Sequence, residues 1–194
     1  MPQPTATPEP RCEARRRQIL AAAAVCFARE GFHGASIAKI SRAAEMSPGH
    51  IYHFFENKEA IIAALVEHKL EQSLSMVQQF ERAEDVHQAM QERVDTGVNE
   101  RTDLDHAALE LEILAEAARN PRVAAIVQAA DAAKRERLCR LLASARGTPR
   151  GDEAAATEII MALFDGLASR AISNPTLDRA ALLAPLQAAL RVLS

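Results

Sequence analysis

The run Ser47-Pro48-Gly49-His50-Ile51-Tyr52-His53-Phe54-Phe55-Glu56-Asn57-Lys58-Glu59 constrains this chain most, because it encodes a helix too short to stand alone. Ser47 suits an N-cap, and Pro48 at the first helical position gives up no needed N–H donor. Gly49 keeps the first turn bare, so the helix end can approach another surface closely. Ile51 and Phe55, four residues apart, anchor the segment inward and leave His50, Tyr52 and His53 facing out. Such a helix is marginal in water and has to be held by its neighbours. A presented helix N-terminus carrying small and hydrogen-bonding residues suits docking against DNA.

The residues before it complete a motif. Ser36 caps a short helix through Ala44, in which Ile37, Ile40 and Ala44 form the apolar stripe while Lys39 and Arg42 point elsewhere. Glu45-Met46 then turns the chain into Ser47. Helix, tight turn and short helix make a helix-turn-helix. Upstream, Ile19, Ala23, Cys26 and Phe27 recur at helical spacing over residues 13–30, and Gly31 is a plausible stop.

Residues 11–60 resemble the DNA-binding domain of the TetR family of bacterial transcriptional regulators. The matching run is the arginines ahead of the first helix, then Gly31-Phe32, Ser36-Ile37, Ile40-Ser41, Ala44, Ser47, Gly49, Ile51-Tyr52, Phe55 and Lys58-Glu59-Ala60. Two residues depart from the pattern. Glu45 stands where the family usually has a turn glycine, and positive φ disfavours a non-glycine residue. Phe54 stands where a histidine or other polar residue is common.

Composition agrees with a regulator that touches DNA through one face. The chain of 194 residues is 48% apolar and 25% charged, ordinary for a globular protein. Net charge is −3, yet residues 1–60 hold eight Lys/Arg against six Asp/Glu, leaving the acidic surplus to the remainder. No apolar run approaches the roughly 20 residues of a membrane span. The start MPQPTATPEP lacks a signal-peptide core, so residues 1–10 read as a flexible arm on a cytoplasmic protein. The three cysteines, Cys12, Cys26 and Cys139, form no metal pattern and fit a reducing compartment.

The rest reads as helix throughout. Asn57 caps a long helix to about Phe80. Further stripes are Val86, Met90, Val94 and Val98; Ala107, Leu111, Leu114 and Ala118, ending at Asn120-Pro121; and Val123 through Leu142. Arg146–Gly151 is a breaker. Ile160, Leu163, Phe164, Leu167 and Ala171 mark a strong amphipathic helix, and the last helix holds Leu182, Leu186, Ala189 and Leu193 with a kink expected at Pro185. The expected fold is all-α: an arm over 1–10, a three-helix helix-turn-helix domain over 11–57, and a larger helical effector-binding and dimerisation domain over 58–194.

The resemblance implies a homodimer formed through the last two helices, a double-stranded DNA operator, and a small-molecule effector bound among the middle helices. Dimerisation has independent support, since one short recognition helix reads few base pairs and such proteins use half-sites about 34–36 Å apart. Ile159 beside Ile160, and Leu182 beside Leu183, put apolar groups on more than one side of the last two helices, and Gly166, Ala168 and Ala171 would admit a partner helix. The same stripes could instead complete the monomer core. By resemblance, Tyr52 and Lys58 contact phosphates, with Lys39 as a further candidate; Pro48, Gly49, His50 and His53 face the major groove behind the Ser47 cap. Ser36, Ile37 and Ala38 contribute phosphate or thymine-methyl contacts. With no arginine on the recognition helix, water-mediated and shape readout share the work. Arg11, Arg15, Arg16 and Arg17 either reach the DNA or form a solvated helix start. The effector candidates are His68, Met90, Val94, Leu111, Met161 and Phe164. Phe80 and Phe164 are the only aromatics after residue 60, which favours aliphatic or flexible ligands. Glu112, Glu116 and Asp165 could counter a cationic ligand or pair at a surface.

Rival readings are weaker. Glu84-x-x-His87 and Asp103-x-x-His106 have the carboxylate–histidine spacing of helical di-iron bundles, but the other carboxylates such a site needs are not evident. No metal, cofactor or enzymatic activity is expected. A ligand-responsive activator of the same fold would carry the same sequence features as a repressor released from its operator by its effector, the reading adopted.

Overall fold

The computed structural model describes residues 8–145 and 151–194, without the side chains of 8–10. Among the described residues all regular structure is helical: α1 (Pro8–Gly34), α2 (Ile37–Ala43), α3 (Pro48–Phe54), α4 (Lys58–Glu81), α5 (Val86–Arg101), α6 (Leu104–Ala117), α7 (Pro121–Ala145), α8 (Glu153–Ser173) and α9 (Arg179–Leu193).

Local signals set the boundaries at the reading end. The side chains of Ser36, Ser47 and Asn57 accept from the backbone N–H of Lys39, His50 and Ala60, satisfying donors that a helix start leaves orphaned. Asp85, Asp103 and Asp178 do the same for α5, α6 and α9. Gly31 interrupts α1 at φ 72°, and Glu45 makes the α2–α3 turn at φ 53° despite its Cβ. The sequence places that strain correctly. α1 begins five residues before the expected start, so 8–10 belong to a helix; residues 1–7 of the expected arm, and 146–150 of the expected breaker, lie outside the described residues. Pro185 sits inside α9, leaving the Ala181 carbonyl without an amide donor four residues on.

Two cores form. The first joins Ile19, Phe27, Ile40 and Ile51 to α4 residues Ile61 through Val66, and takes in Leu109 and Ile113 of α6 and Val123 of α7. The second gathers Val77, Phe80, Val94, Leu141, Ile160 and Leu190 from the far ends of α4 and α7 and from α5, α8 and α9. The expected division at residue 57/58 therefore does not coincide with a break in packing, since α4 runs through both cores.

Two expectations about helix faces need correction. On α6 the buried residues are Ala107, Leu109, Ile113 and Glu116, whereas Leu114 is 52% exposed and Ala118 is exposed. The helix is wedged between α1, α7 and α8, so its buried surface wraps several faces and a single 3.6-residue stripe misreads it. On α8, Ala168 and Ala171 pack with Ala107 inside the monomer. They do not offer an approach surface to a partner.

Candidate nucleic-acid interface and ligand chamber

α3 projects its polar face into solvent. Ile51 is fully buried and Phe55 nearly so, while Ser47, Pro48, Gly49, His50, Tyr52 and His53 are exposed. Tyr52 has 55% of its surface free, and a Cβ built on Gly49 would meet nothing within 4 Å. The unusual Phe54 organises the two exposed histidines. Its half-buried ring stacks on His50 at 5.6 Å between centroids, with planes 8° apart, and meets the edge of His53 at 5.3 Å. Both imidazoles are thereby oriented by one platform. In α2, Ser36 and Ala38 are exposed, whereas Ile37 is half-buried against the first core.

The cations are less free than the sequence suggests. Lys58 donates to the Phe32 carbonyl at 2.7 Å and lies 4.6 Å above the Phe32 ring. Its position at a helix N-terminus, unfavourable for the dipole, is explained by closing the end of α1. Lys39 pairs with Glu30 and donates to the Gly34 carbonyl at 3.1 Å. Arg16 lies over the Phe55 ring at 5.6 Å and faces Glu67 at 3.9 Å, and Arg15 bonds Gln18. Arg11 and Arg17 are exposed at the start of α1. Gln18, not singled out from sequence, donates at 2.8 Å to the Ala44 carbonyl and braces the motif's turn.

A cavity of about 720 Å³ opens among α4, α5, α6, α7, α8 and α9. Four of the six expected effector residues, Met90, Val94, Met161 and Phe164, line it. The other two do not. His68 sits on the surface of α4 beside Gln72 and Glu71, and Leu111 lines a smaller neighbouring cavity of about 150 Å³. The wall is tight at Gly97: a Cβ there would stand 2.9 Å from Phe164 Cε1, so the ring would have to shift.

The surface shared by the two cavities is ionic. Glu110 Oε1 pairs with Lys69, and lies 3.3 Å from Arg101 and 3.5 Å from His106 Nε2. Asp165 faces Arg101 at 3.4 Å and Lys134 at 3.9 Å. Burial alone would push the Glu110 carboxyl up, but the His106, Lys69 and Arg101 contacts outweigh it and hold the group well below the usual range. Burial pulls the Lys69 ammonium down, against the attraction of Glu110. These residues come from α4, α5, α6, α7 and α8, and no local motif announces them.

α6 connects the chamber to the reading end. Two residues beyond Glu110, Glu112 Oε1 accepts from the Phe32 backbone N–H at 2.6 Å. The Phe32 backbone is therefore gripped by α6 at its N–H and by α4, through Lys58, at its carbonyl. Buried Glu116 faces His33 Nε2 at 3.2 Å and accepts from Asn120, which also donates to Glu59 of α4 at 3.2 Å. Of the three acids considered for a cationic ligand, only Asp165 lines the chamber; Glu112 and Glu116 belong to this junction.

Among the described residues, no group of three His, Cys, Asp or Glu side chains could hold a metal ion, and no helix is long and apolar enough to cross a membrane. Asp103 of the considered di-iron pattern caps α6 through the His106 N–H. Cys26 is buried, and burial pushes its thiol up, which disfavours the nucleophilic thiolate.

A short capped helix offered by a helix-turn-helix, above a helical body enclosing a ligand-sized chamber, defines the class of one-component regulators. Residues 19–65 match the family described as bacterial regulatory proteins, tetR family, and residues 82–193 match the BetI-type transcriptional repressor C-terminal family. The chain belongs to the TetR family. It is 38% identical over 118 residues to the HTH-type transcriptional regulator UidR of Escherichia coli K12, an alignment that spans 58% of this chain and 57% of that one. Among solved structures it is similar to GusR of Salmonella enterica, with a TM-score of 0.77, 29% identity and 98% of each chain covered. FadR of Bacillus subtilis in complex with stearoyl-CoA shares the fold, with a TM-score of 0.74 and 21% identity over 90% of this chain and 96% of that one.

Proposed function

We propose that the protein is a homodimeric transcriptional repressor that binds a palindromic operator through α3 and leaves it when a small molecule fills the chamber. The observation that carries this reading is the doubly held backbone of Phe32, which ties the reading end to α4 and α6, two helices that also line the chamber. An effector that moves Lys69 or Glu110 also moves the supports of the helix-turn-helix. By linkage, operator binding then weakens effector binding by the same factor. A regulator of the same fold, FadR of Bacillus subtilis, is solved in complex with a small molecule, stearoyl-CoA, in keeping with a ligand-responsive reading.

Support for the dimer comes from α8 and α9. Ala155, Ile159, Ala162, Gly166 and Ser169 form an exposed stripe at helical spacing, as do Ala181, Ala184, Pro185, Ala188 and Val192. Ile159 is 48% and Val192 73% exposed, and Gly166 borders open space. Two apolar, small-residue stripes on the last two helices suit a four-helix interface with a second copy. Ser47 through His53 present the base-reading surface. Phosphate contacts fall to Tyr52, to Ser36 and the free N–H groups at the starts of α2 and α3, and to Arg11 and Arg17, with Lys39 and Lys58 acting chiefly as internal struts. The cytoplasm, where the operator lies, is the working compartment.

Selection of purified full-length protein against a random duplex library tests the reading. Recovery of one palindrome is the expected result; a dimer that enriches no sequence would refute it.

A further inference from the structure

Of the rings that touch one another on α3, Phe54 alone is anchored. It is half-buried and packs against the first core, while His50 and His53 are exposed. His50, one turn earlier on the same face, lies parallel to the Phe54 ring, with centroids 5.6 Å apart and planes 8° from coplanar. His53 meets Phe54 edge to face at 5.3 Å and 84°. The two imidazoles also meet each other, at 6.5 Å and 87°. Among the described residues no hydrogen bond or ion pair engages either imidazole; the His50 bond to Ser47 Oγ is made by its backbone N–H. Ring contacts alone therefore orient the two histidines, and their ring nitrogens are left without a protein partner.

Taking the operator-reading role of α3 as its basis, we infer that Phe54 is a positioning residue that sets base specificity through His50 and His53. An imidazole donates and accepts in its own plane, so the direction of that plane decides which base edge it can meet. An exposed histidine with no support samples several rotamers and loses that freedom when it docks. Here the loss is met in advance, because the platform under His50 and beside His53 is itself held by the core. Phe54 acts through the two histidines and makes no base contact of its own. An aliphatic side chain at this position could fill the same space against the core but would offer no flat face for the imidazoles.

Fluorescence anisotropy of the full-length protein tests the assignment, using the selected operator and a series in which each base pair of the half-site is changed in turn. Phe54→Leu is expected to lower discrimination by about three- to tenfold at the base pairs where His50→Ala or His53→Ala lowers it, the scale of ordering one side chain. Discrimination at the other positions stays unchanged, and Phe54→Tyr, which keeps the ring, retains the full profile. In a protein carrying both His50→Ala and His53→Ala, Phe54→Leu adds no further loss, because the groups it acts through are gone. An equal loss of affinity for every duplex, the mark of a merely structural role, overturns the proposal. So does a further loss of discrimination in the doubly substituted protein, which would put the Phe54 ring itself against a base. If Phe54→Leu fails to fold, NMR of the histidine ring protons in the wild-type protein decides. His50 signals displaced from free-histidine positions by the Phe54 ring current are expected, and undisplaced signals overturn the platform. Selection of no operator refutes the regulator reading, and the specificity role with it, whatever the ring protons show.

Discussion

The reading end and the chamber are built by different rules. In the helix-turn-helix, each start is fixed by a side chain bonding a backbone amide three residues on: Ser36 to Lys39, Ser47 to His50, Asn57 to Ala60. In the chamber, Lys69 meets Glu110 across 41 residues of sequence, and Arg101 and Lys134 meet at Asp165. A surface that must present the same groups to every operator is specified locally. A cavity that must fit one ligand is assembled from six helices, and its chemistry lies in the tertiary contacts.

The largest effect expected is at the proposed dimer face, on which both regions depend. Gly166→Arg places a long cation on the exposed stripe of α8 and should dissociate the dimer, lowering affinity for the selected palindrome by roughly 100-fold or more, because two half-sites no longer bind as a unit. Sedimentation velocity and fluorescence anisotropy on one preparation check it. A dimeric variant with full affinity would move the interface elsewhere.

Next comes the anchor of the reading helix. Ile51→Ala removes a fully buried side chain and should cost about 2–4 kcal/mol in urea denaturation. Lys58→Ala should cost about 1–2 kcal/mol by freeing the Phe32 carbonyl. Its loss of DNA affinity should be the same for every operator variant. His50→Ala lies at the other extreme: stability should change by under about 0.5 kcal/mol, while the base preference at one or two operator positions changes. If His50→Ala and Lys58→Ala act alike across an operator series, the separation of reader from strut is wrong.

The chamber has its own signature in acid. The Glu110 carboxyl lies below its ordinary value in the folded state, so its contribution to stability is complete above the ordinary glutamate range. That contribution is lost as pH falls through and below this range. Glu110→Gln should therefore be less stable at neutral pH and show a shallower loss of melting temperature on acidification. Parallel melting curves for the two proteins would remove Glu110 from the ionic wall.

These rules explain what could be read in advance. Caps, the Gly31 stop and the strained Glu45 turn are local, and their positions were legible residue by residue. Met90, Val94, Met161 and Phe164 were found as apolar members of the middle helices. The ionic wall was not, because Lys69, Arg101, Glu110 and Lys134 look like any solvated charges until α4, α5, α6 and α7 are packed. Lys58 shows the converse limit. The resemblance places it at a phosphate, and nothing in the sequence signals that its ammonium also bonds the Phe32 carbonyl and closes the neighbouring helix. On α6, Leu114 and Ala118 failed as core residues because a helix buried on several sides carries no single stripe.

The central claim is that two α3 helices read one operator as a rigid pair. Anisotropy titration of the full-length protein with the selected palindrome, and with the same palindrome carrying five extra base pairs between its half-sites, tests it most directly. Five base pairs turn the second half-site to roughly the opposite face of the duplex. The expected result is a loss of affinity of about 100-fold or more, recovered in part when ten base pairs restore the phase. Equal affinity for all three duplexes would contradict the account.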